Sequence, residues 1–253
     1  MTGEVETAPR RGTGQRGRRA KKRGWKYFLR DVLVIFLAAI VISFLIKTFL
    51  IRSFYIPSQS MENTLLENDR IIVSLLTPGL TPLRHGDVIV FKDPGDWLDA
   101  TPPPVQSPLS SAVDGALGFV GLSAPDSNDH LVKRVIGLPG DHVVCCTAAG
   151  QLTVNGTPLI EPYIKLPANT VKAAPTSFDV TVPAGSLWVM GDNRYESADS
   201  AYHLANHDPH VYVPLSDVVG KAMVVSWPLN RWTVLDDYPD VYKGVTSGTP
   251  TGK

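Results

Sequence analysis

The sequence predicts a mostly β protein, an antiparallel β domain tethered by one N-terminal transmembrane helix. Three observations carry this. An apolar run from Val32 to Ile46 follows a strongly basic head. Beyond it, short Val- and Ile-rich runs alternate with Gly, Pro, Asn and Asp, the signature of strands and turns. No segment after the apolar run has the period of a long amphipathic helix.

The head comes first in the chain. Ten of the 24 basic residues precede Asp31, against only Glu4 and Glu6, although the formal net charge of the 253 residues is zero. Nucleic-acid binding is one use for such a cluster. Next to an apolar run, retention of positive charge on the cytoplasmic side explains it more simply, so no nucleic-acid partner is expected. Residues 1–30 are expected to form a disordered basic cytoplasmic tail able to touch anionic lipid head groups.

Val32 to Ile46 is short for a crossing, but Thr48 to Ile51 extend it toward the roughly 20 residues needed, with Lys47 snorkelling. A cleaved leader would need a small-x-small site, whereas Arg52-Ser53-Phe54-Tyr55-Ile56 follows. Residues 31–51 are therefore read as an uncleaved single-pass anchor in the cell membrane, with everything after Arg52 extracytoplasmic.

Strands are expected over Arg70–Leu75, Asp87–Phe91, Leu131–Ile136, His142–Cys146, Leu152–Val154, Phe178–Val182, Leu187–Met190 and Val218–Ser226. Hairpins are signalled by Leu138-Pro139-Gly140-Asp141 and Val154-Asn155-Gly156-Thr157. Residues 93–128, rich in Pro, Ser, Gly and Asp, read as a surface insertion in a β domain spanning 52–235. Its apolar patch, 116–122, packs on the domain or on lipid. Residues 236–253 read as a flexible polar tail. The adjacent Cys145 and Cys146 read as packed thiols, with a strained bridge as the alternative. His203, His207 and His210 read as a solvated loop, without the His-Glu-x-x-His pattern of a helical metal site, and no metal or other cofactor is expected.

Two groups carry the chemistry. Ser60 lies nine residues beyond Ile51, so an extended connection keeps it within about 30 Å of the span's end. Lys133 sits in Leu131-Val132-Lys133-Arg134-Val135-Ile136, where apolar burial lowers a lysine pKa until the amine can serve as a base. Alternation puts Lys133 on the face of Leu131 and Val135 and Arg134 on the other. Taken singly, a Ser-x-Ser is a common loop and a strand lysine is most often solvated.

Four ordered segments change that weighting: Ile56-Pro57-Ser58-Gln59-Ser60-Met61-Glu62-Asn63-Thr64-Leu65, Gly86-Asp87-Val88-Ile89-Val90-Phe91, Lys133 through Asp141, and Gly191-Asp192-Asn193-Arg194 with Ser197-Ala198-Asp199-Ser200. They resemble the sequence boxes of bacterial type I signal peptidases. Weaker similarity at 154–156, 161–163, 220–222 and 227–229 extends the resemblance to about Trp232. It implies a signal-peptidase-like β domain and a Ser/Lys dyad endopeptidase that removes signal peptides from exported preproteins. By position, Ser60 is the nucleophile and Lys133 the general base. Ser58 completes the oxyanion hole with the Ser60 amide, and Ser197 orients the lysine. Arg134, Asp192 and Asp199 support the site. Expected partners are preproteins with small residues one and three places before the cut, the phospholipid membrane and the export translocon. Arg70–Val73 and Asp129–Val135 are the candidate walls of the substrate cleft.

One position departs from the pattern. Ala201 stands where the family usually has an arginine to pair with the carboxylate of Asp199. Arg194 or His203 substitutes, or the site is weakened. A self-cleaving Ser/Lys repressor is disfavoured by the anchor, and a noncatalytic signal-peptide-binding relative is the alternative that Ala201 keeps open.

Overall fold

The computed structural model describes residues 20–95, 97–98 and 129–246, with side chains from residue 24 onward. The chain divides into two compact units after Leu45.

Helix α1 covers Ala20–Phe49, and its segment Gly24–Phe49 is long and apolar enough to cross a membrane. It starts inside the stretch expected to be disordered, because Ala20, Lys21, Lys22 and Arg23 are good helix formers that continue directly into the apolar run. It also ends before Ile51, which enters a strand instead.

Among the described residues of the second unit twelve strands follow in chain order: β1 (Ile51–Tyr55), β2 (Arg70–Ser74), β3 (Val88–Lys92), β4 (His130–Gly137), β5 (His142–Cys145), β6 (Leu152–Val154), β7 (Thr157–Pro158), β8 (Phe178–Thr181), β9 (Ser186–Met190), β10 (Val213–Pro214), β11 (Val218–Trp227) and β12 (Thr233–Val234). A short helix α2 (Ser200–Ala205) lies between β9 and β10. The larger sheet runs β1-β2-β11-β3-β4-β9-β10 with β12 on β11, and the smaller runs β7-β6-β5-β8. Every pair of these strands is antiparallel. The eight expected strands are present within a residue or two. The additional strands β1, β7, β10 and β12 are short or masked by the anchor reading, and carry too few residues to show a period.

Asn155 and Gly156, both at positive φ, turn the hairpin between β6 and β7 as expected. Leu138 to Asp141 does not close a hairpin. Its turn carries the chain from the larger sheet, where β4 pairs with β3 and β9, to the smaller one, where β5 pairs with β6 and β8. The Asp141 carboxylate accepts from the Leu138 amide at 2.7 Å and holds this turn.

Ile136, Val143, Leu152, Phe178 and Trp188 form a core between the sheets. Phe54, Ile56, Met61, Leu65, Ile71, Val73, Val88 and Val90 form a second cluster, and Ile89, Phe91, Trp97, Leu131, Val135 and Val189 a third. Met61 and Leu65 anchor the loop that carries Ser60. Cys145 and Cys146 are joined as a disulfide rather than lying as free thiols.

Residues 236–246 are not the loose tail expected from their polarity. Tyr242 is buried in the first cluster, stacks on His85 at 5.3 Å and shares a hydrogen bond with the Tyr163 hydroxyl at 2.9 Å. Few apolar side chains suffice here because the segment also satisfies polar groups of the domain, including Lys221 at Asp237 and Asn155 at the Thr246 carbonyl. Most of the 93–128 insertion, with its 116–122 patch, lies outside the described residues, although Trp97 and Leu98 are placed.

Tyr242→Ala is expected to destabilise the domain by about 3 kcal/mol, the usual cost of truncating a buried aromatic. Denaturant unfolding of the purified full chain measures this, and an unchanged midpoint would refute the packing of 236–246.

Candidate active site

The Ser60 loop leaves β1 through Pro57 and closes on itself, with Glu62 N–H donating to the Gln59 carbonyl and Leu65 N–H to the Met61 carbonyl. This presents the Ser60 hydroxyl toward the middle of β4. Lys133, only 3% exposed, reaches it there, with Nζ 2.6 Å from Ser60 Oγ. Burial lowers the Lys133 pKa to about 8, while the carboxylates of Asp199 and Asp192 oppose the shift. Ser58 is exposed, with its hydroxyl 3.3 Å from that of Ser60.

A second loop grips the first. Asn193 N–H donates to the Ser60 carbonyl at 3.1 Å, and Asn193 Nδ2 donates to the Gln59 carbonyl at 3.2 Å. Gly191 has no room for a side chain, since a Cβ there would overlap both the Ser60 carbonyl oxygen and Ser197 Oγ. Ser197 is thereby brought against the same loop. Its buried hydroxyl has no hydrogen-bond partner among the described residues, so no bond to Lys133 is formed in this geometry.

Arg134 is fully buried on the strand position after Lys133. Its Nε and Nη2 donate to the two Asp192 oxygens at 2.9 and 2.7 Å, and Nη1 donates to the carbonyls of Gly86 and Asp236. The guanidinium also lies 4.1 Å from the centre of the Tyr163 ring. Burial alone would lower its pKa, but the hydrogen-bonded Asp192 carboxylate outweighs burial and raises it. Thr64 donates to Asp192 Oδ2 at 2.5 Å and ties this pair to the Ser60 loop.

Asp199 is neither orphaned nor paired with Arg194 or His203. Its Oδ1 caps α2 by accepting from the amides of Ala201 and Tyr202, and its Oδ2 accepts from the Gly191 amide at 2.9 Å. Arg194 is committed elsewhere, with Nη2 donating to Glu161 Oε1 at 2.5 Å, and its Nε donates to the Gly191 carbonyl at 3.1 Å. His203 is buried on α2 rather than solvated on a loop. It meets Asp208 at 3.0 Å and stacks on Trp97, whereas His207 and His210 are exposed. No group of three or more His, Cys, Asp or Glu suited to a metal occurs among the described residues.

The structure thus brings Ser58, Ser60, Lys133, Arg134, Asp192, Ser197 and Asp199 to one place. Sequence reasoning gave no role to Thr64, Glu161, Tyr163 or Asn193. Thr64 acts on Asp192, 128 positions away, so no local spacing pointed to it, and nothing local connects Glu161 to Arg194. A cavity of about 180 Å³ opens beside the serine, lined by residues 54–58, Ser60, Met61, Val90, Leu98 and 130–133. Of the expected walls, Arg70–Val73 is not among its lining, because β2 lies inside the sheet between β1 and β11 and the end of β1 takes its place.

A serine in hydrogen-bond contact with a buried lysine is the pairing that a serine hydrolase of the Ser/Lys kind requires, and comparison with known proteins gives the class. The chain belongs to the signal peptidase family, peptidase S26, whose family model matches residues 29–227. A probable signal peptidase I of Mycobacterium leprae (strain TN) is 40% identical over 92% of this chain and 86% of its own length. A signal peptidase I of Mycobacterium tuberculosis (strain CDC 1551 / Oshkosh) is 42% identical over 82% of this chain and 75% of its own. The crystal structure of a signal peptidase I from Enterococcus faecalis V583 aligns with a TM-score of 0.35 and 24% identity, over 55% of this chain and 95% of that one. The chain is accordingly a peptidase of the signal peptidase family.

The depressed Lys133 pKa has a cost in stability. The unfolded chain binds this proton below pH 10.5 and the folded chain only below about 8, which destabilises the fold by about 3 kcal/mol at pH 7. Lys133→Met is therefore expected to raise unfolding stability at pH 7 by roughly 2–3 kcal/mol. The gain should shrink toward zero as pH rises past 10.5. A gain that is the same at pH 7 and pH 10.5 would contradict the assignment.

Proposed function

We propose that the chain is a single-pass membrane endopeptidase, with its N-terminus cytoplasmic and its β domain extracytoplasmic, that cuts exported preproteins after a small-x-small site with a Ser60/Lys133 dyad. The observation that carries this is the 2.6 Å contact between Ser60 Oγ and a buried Lys133 amine with a pKa of about 8. When that amine is neutral it accepts the Ser60 proton across the same contact as Oγ adds to the scissile carbonyl carbon. The developing oxyanion accepts from the Ser58 hydroxyl and the Ser60 N–H, each worth on the order of 3 kcal/mol. The ammonium then gives its proton to the leaving amine, and an ester on Ser60 remains. Water, deprotonated by the regenerated neutral amine, attacks the ester carbonyl, and the ammonium so formed returns the proton to Ser60 Oγ as the acyl group leaves as a carboxylic acid. Ser197, buried and unpaired, is available to hydrogen-bond the amine as the proton moves, and Asp199 fixes Gly191 beneath it.

The small cavity supports a preference for small side chains before the cut. β9 pairs with β4 only from Arg134 onward, and the edge of Leu131 to Lys133 has no strand partner among the described residues on that side, so an extended peptide can add there. The apolar α1 and the basic residues before it support membrane anchoring with this orientation. The translocon is a partner by the logic of its substrates.

Detergent-solubilised full chain is expected to cut a preprotein bearing an Ala-x-Ala site, with Ser60→Ala and Lys133→Ala each slowing cleavage roughly 10⁴-fold or more. Cleavage that survives either substitution would sink the dyad. Because the base must be neutral, kcat/KM is expected to rise about tenfold per pH unit below pH 8 and to level off above it. A plateau already reached at pH 6 would exclude Lys133 as the base.

A further inference from the structure

Leu98 lines the cavity beside Ser60, yet lies in none of the segments that resemble the family's boxes. It belongs to the stretch between β3 and β4, and its position is built from both sides. The Asp93 carboxylate accepts from the amides of Gly95 and Trp97 through Oδ1 and from that of Leu98 through Oδ2, at 2.9, 3.0 and 3.0 Å. Three donors on one short side chain close a tight loop. Asp93 N–H in turn donates to the Asp129 carbonyl, so this loop is fastened at the His130 end of β4.

Trp97 locks it from the other side. Its ring is buried, meets Phe91 edge-on at 5.8 Å and stacks on His203 at 4.2 Å, and its indole N–H donates to the His210 carbonyl at 2.5 Å. Gly95 permits the approach, since a Cβ there would lie 2.6 Å from His210 Nδ1. Neighbours on α2 and on the 207–210 loop therefore fix where Leu98 stands.

We propose that Leu98 is a specificity-determining residue that closes the His130 end of the cavity and restricts the preprotein residue three places before the cut to small side chains, with Trp97 and His203 as its positioning residues. This rests on the reading of the cavity as the substrate cleft. Lys133 marks where Ser60 acts, and His130 is three residues back along β4, about 10 Å away at the rise of a strand. In an extended peptide the residue two places upstream of the attacked one is displaced by about 7 Å and points to the same side, while the residue between them points away. The third residue before the cut thus meets Leu98, and the first meets the Ser58, Ser60 and Met61 end.

The test uses the detergent-solubilised full chain and two preprotein series, with Ala, Val, Leu or Phe at the third or at the first position before the cut. Leu98→Ala is expected to raise the kcat/KM of the Leu substrate relative to Ala about tenfold in the third-position series, and to leave the first-position ratios unchanged. Leu98→Phe should shift the third-position preference the opposite way, which keeps the proposal testable if Leu98→Ala folds poorly. His203→Ala should relax the same ratio to a smaller extent. If cleavage stays dependent on Ser60 while Leu98→Ala leaves the third-position ratio unchanged, or moves only the first-position series, Leu98 has no such role and the Ser60/Lys133 reading stands. If the unaltered chain cuts no Ala-x-Ala preprotein, or cuts it without Ser60, both fall together.

Discussion

The ion pair between Arg134 and Asp192 holds the parts of the site in register. The Asp192 carboxylate takes two guanidinium hydrogen bonds and one from Thr64, which ties β4, the 191–194 loop and the Ser60 loop to a single point. The remaining guanidinium nitrogen reaches the carbonyls of Gly86 and Asp236, so the start of β3 and the C-terminal segment join the same hub. Taking two charges out of water is costly, and such a pair contributes little net stability against apolar replacements. Removing one member alone costs about 3–5 kcal/mol because the other is left buried and unpaired. The pair therefore acts as a geometric constraint whose members depend on each other.

Lys133 and Arg134 are consecutive, buried cations with opposite fates. Arg134 has a carboxylate in bidentate contact and stays charged, whereas Lys133, among the described residues, has a hydroxyl at hydrogen-bond distance and feels Asp192 and Asp199 as more distant charges. Desolvation then dominates for the lysine and pairing for the arginine. Strand alternation makes this possible, because neighbours on one strand point to opposite faces. A lysine at 134 or an arginine at 133 would not reproduce it, since a guanidinium does not give up its proton in a protein.

With alanine at 201, the Asp199 carboxylate is satisfied by backbone donors. Asp199 accepts three backbone N–H groups, two from the first turn of α2 and one from Gly191. Backbone donors at a helix start stabilise a carboxylate without requiring a second ion. Ala201 is itself buried in the apolar core between the sheets, where a small side chain fits. The second buried ion pair, Arg194 with Glu161, braces the Gly191 carbonyl from the far side.

Periodicity and turn chemistry are local properties, so the sequence by itself determined the eight main strands, the Asn155-Gly156 hairpin, the apolar helix and the order of the motif segments. The choice of Ser60 and Lys133 also came from local pattern and resemblance. Their contact joins residues 73 positions apart, and the arginine hub joins residues 58 apart. The partners of Asp199, the burial of His203 against Trp97, the packing of 236–246 and the wall formed by Leu98 were decided only in the tertiary structure. Whether a polar group is solvated, paired or buried depends on which distant segments cover it, and no window along the chain contains both halves of such a contact.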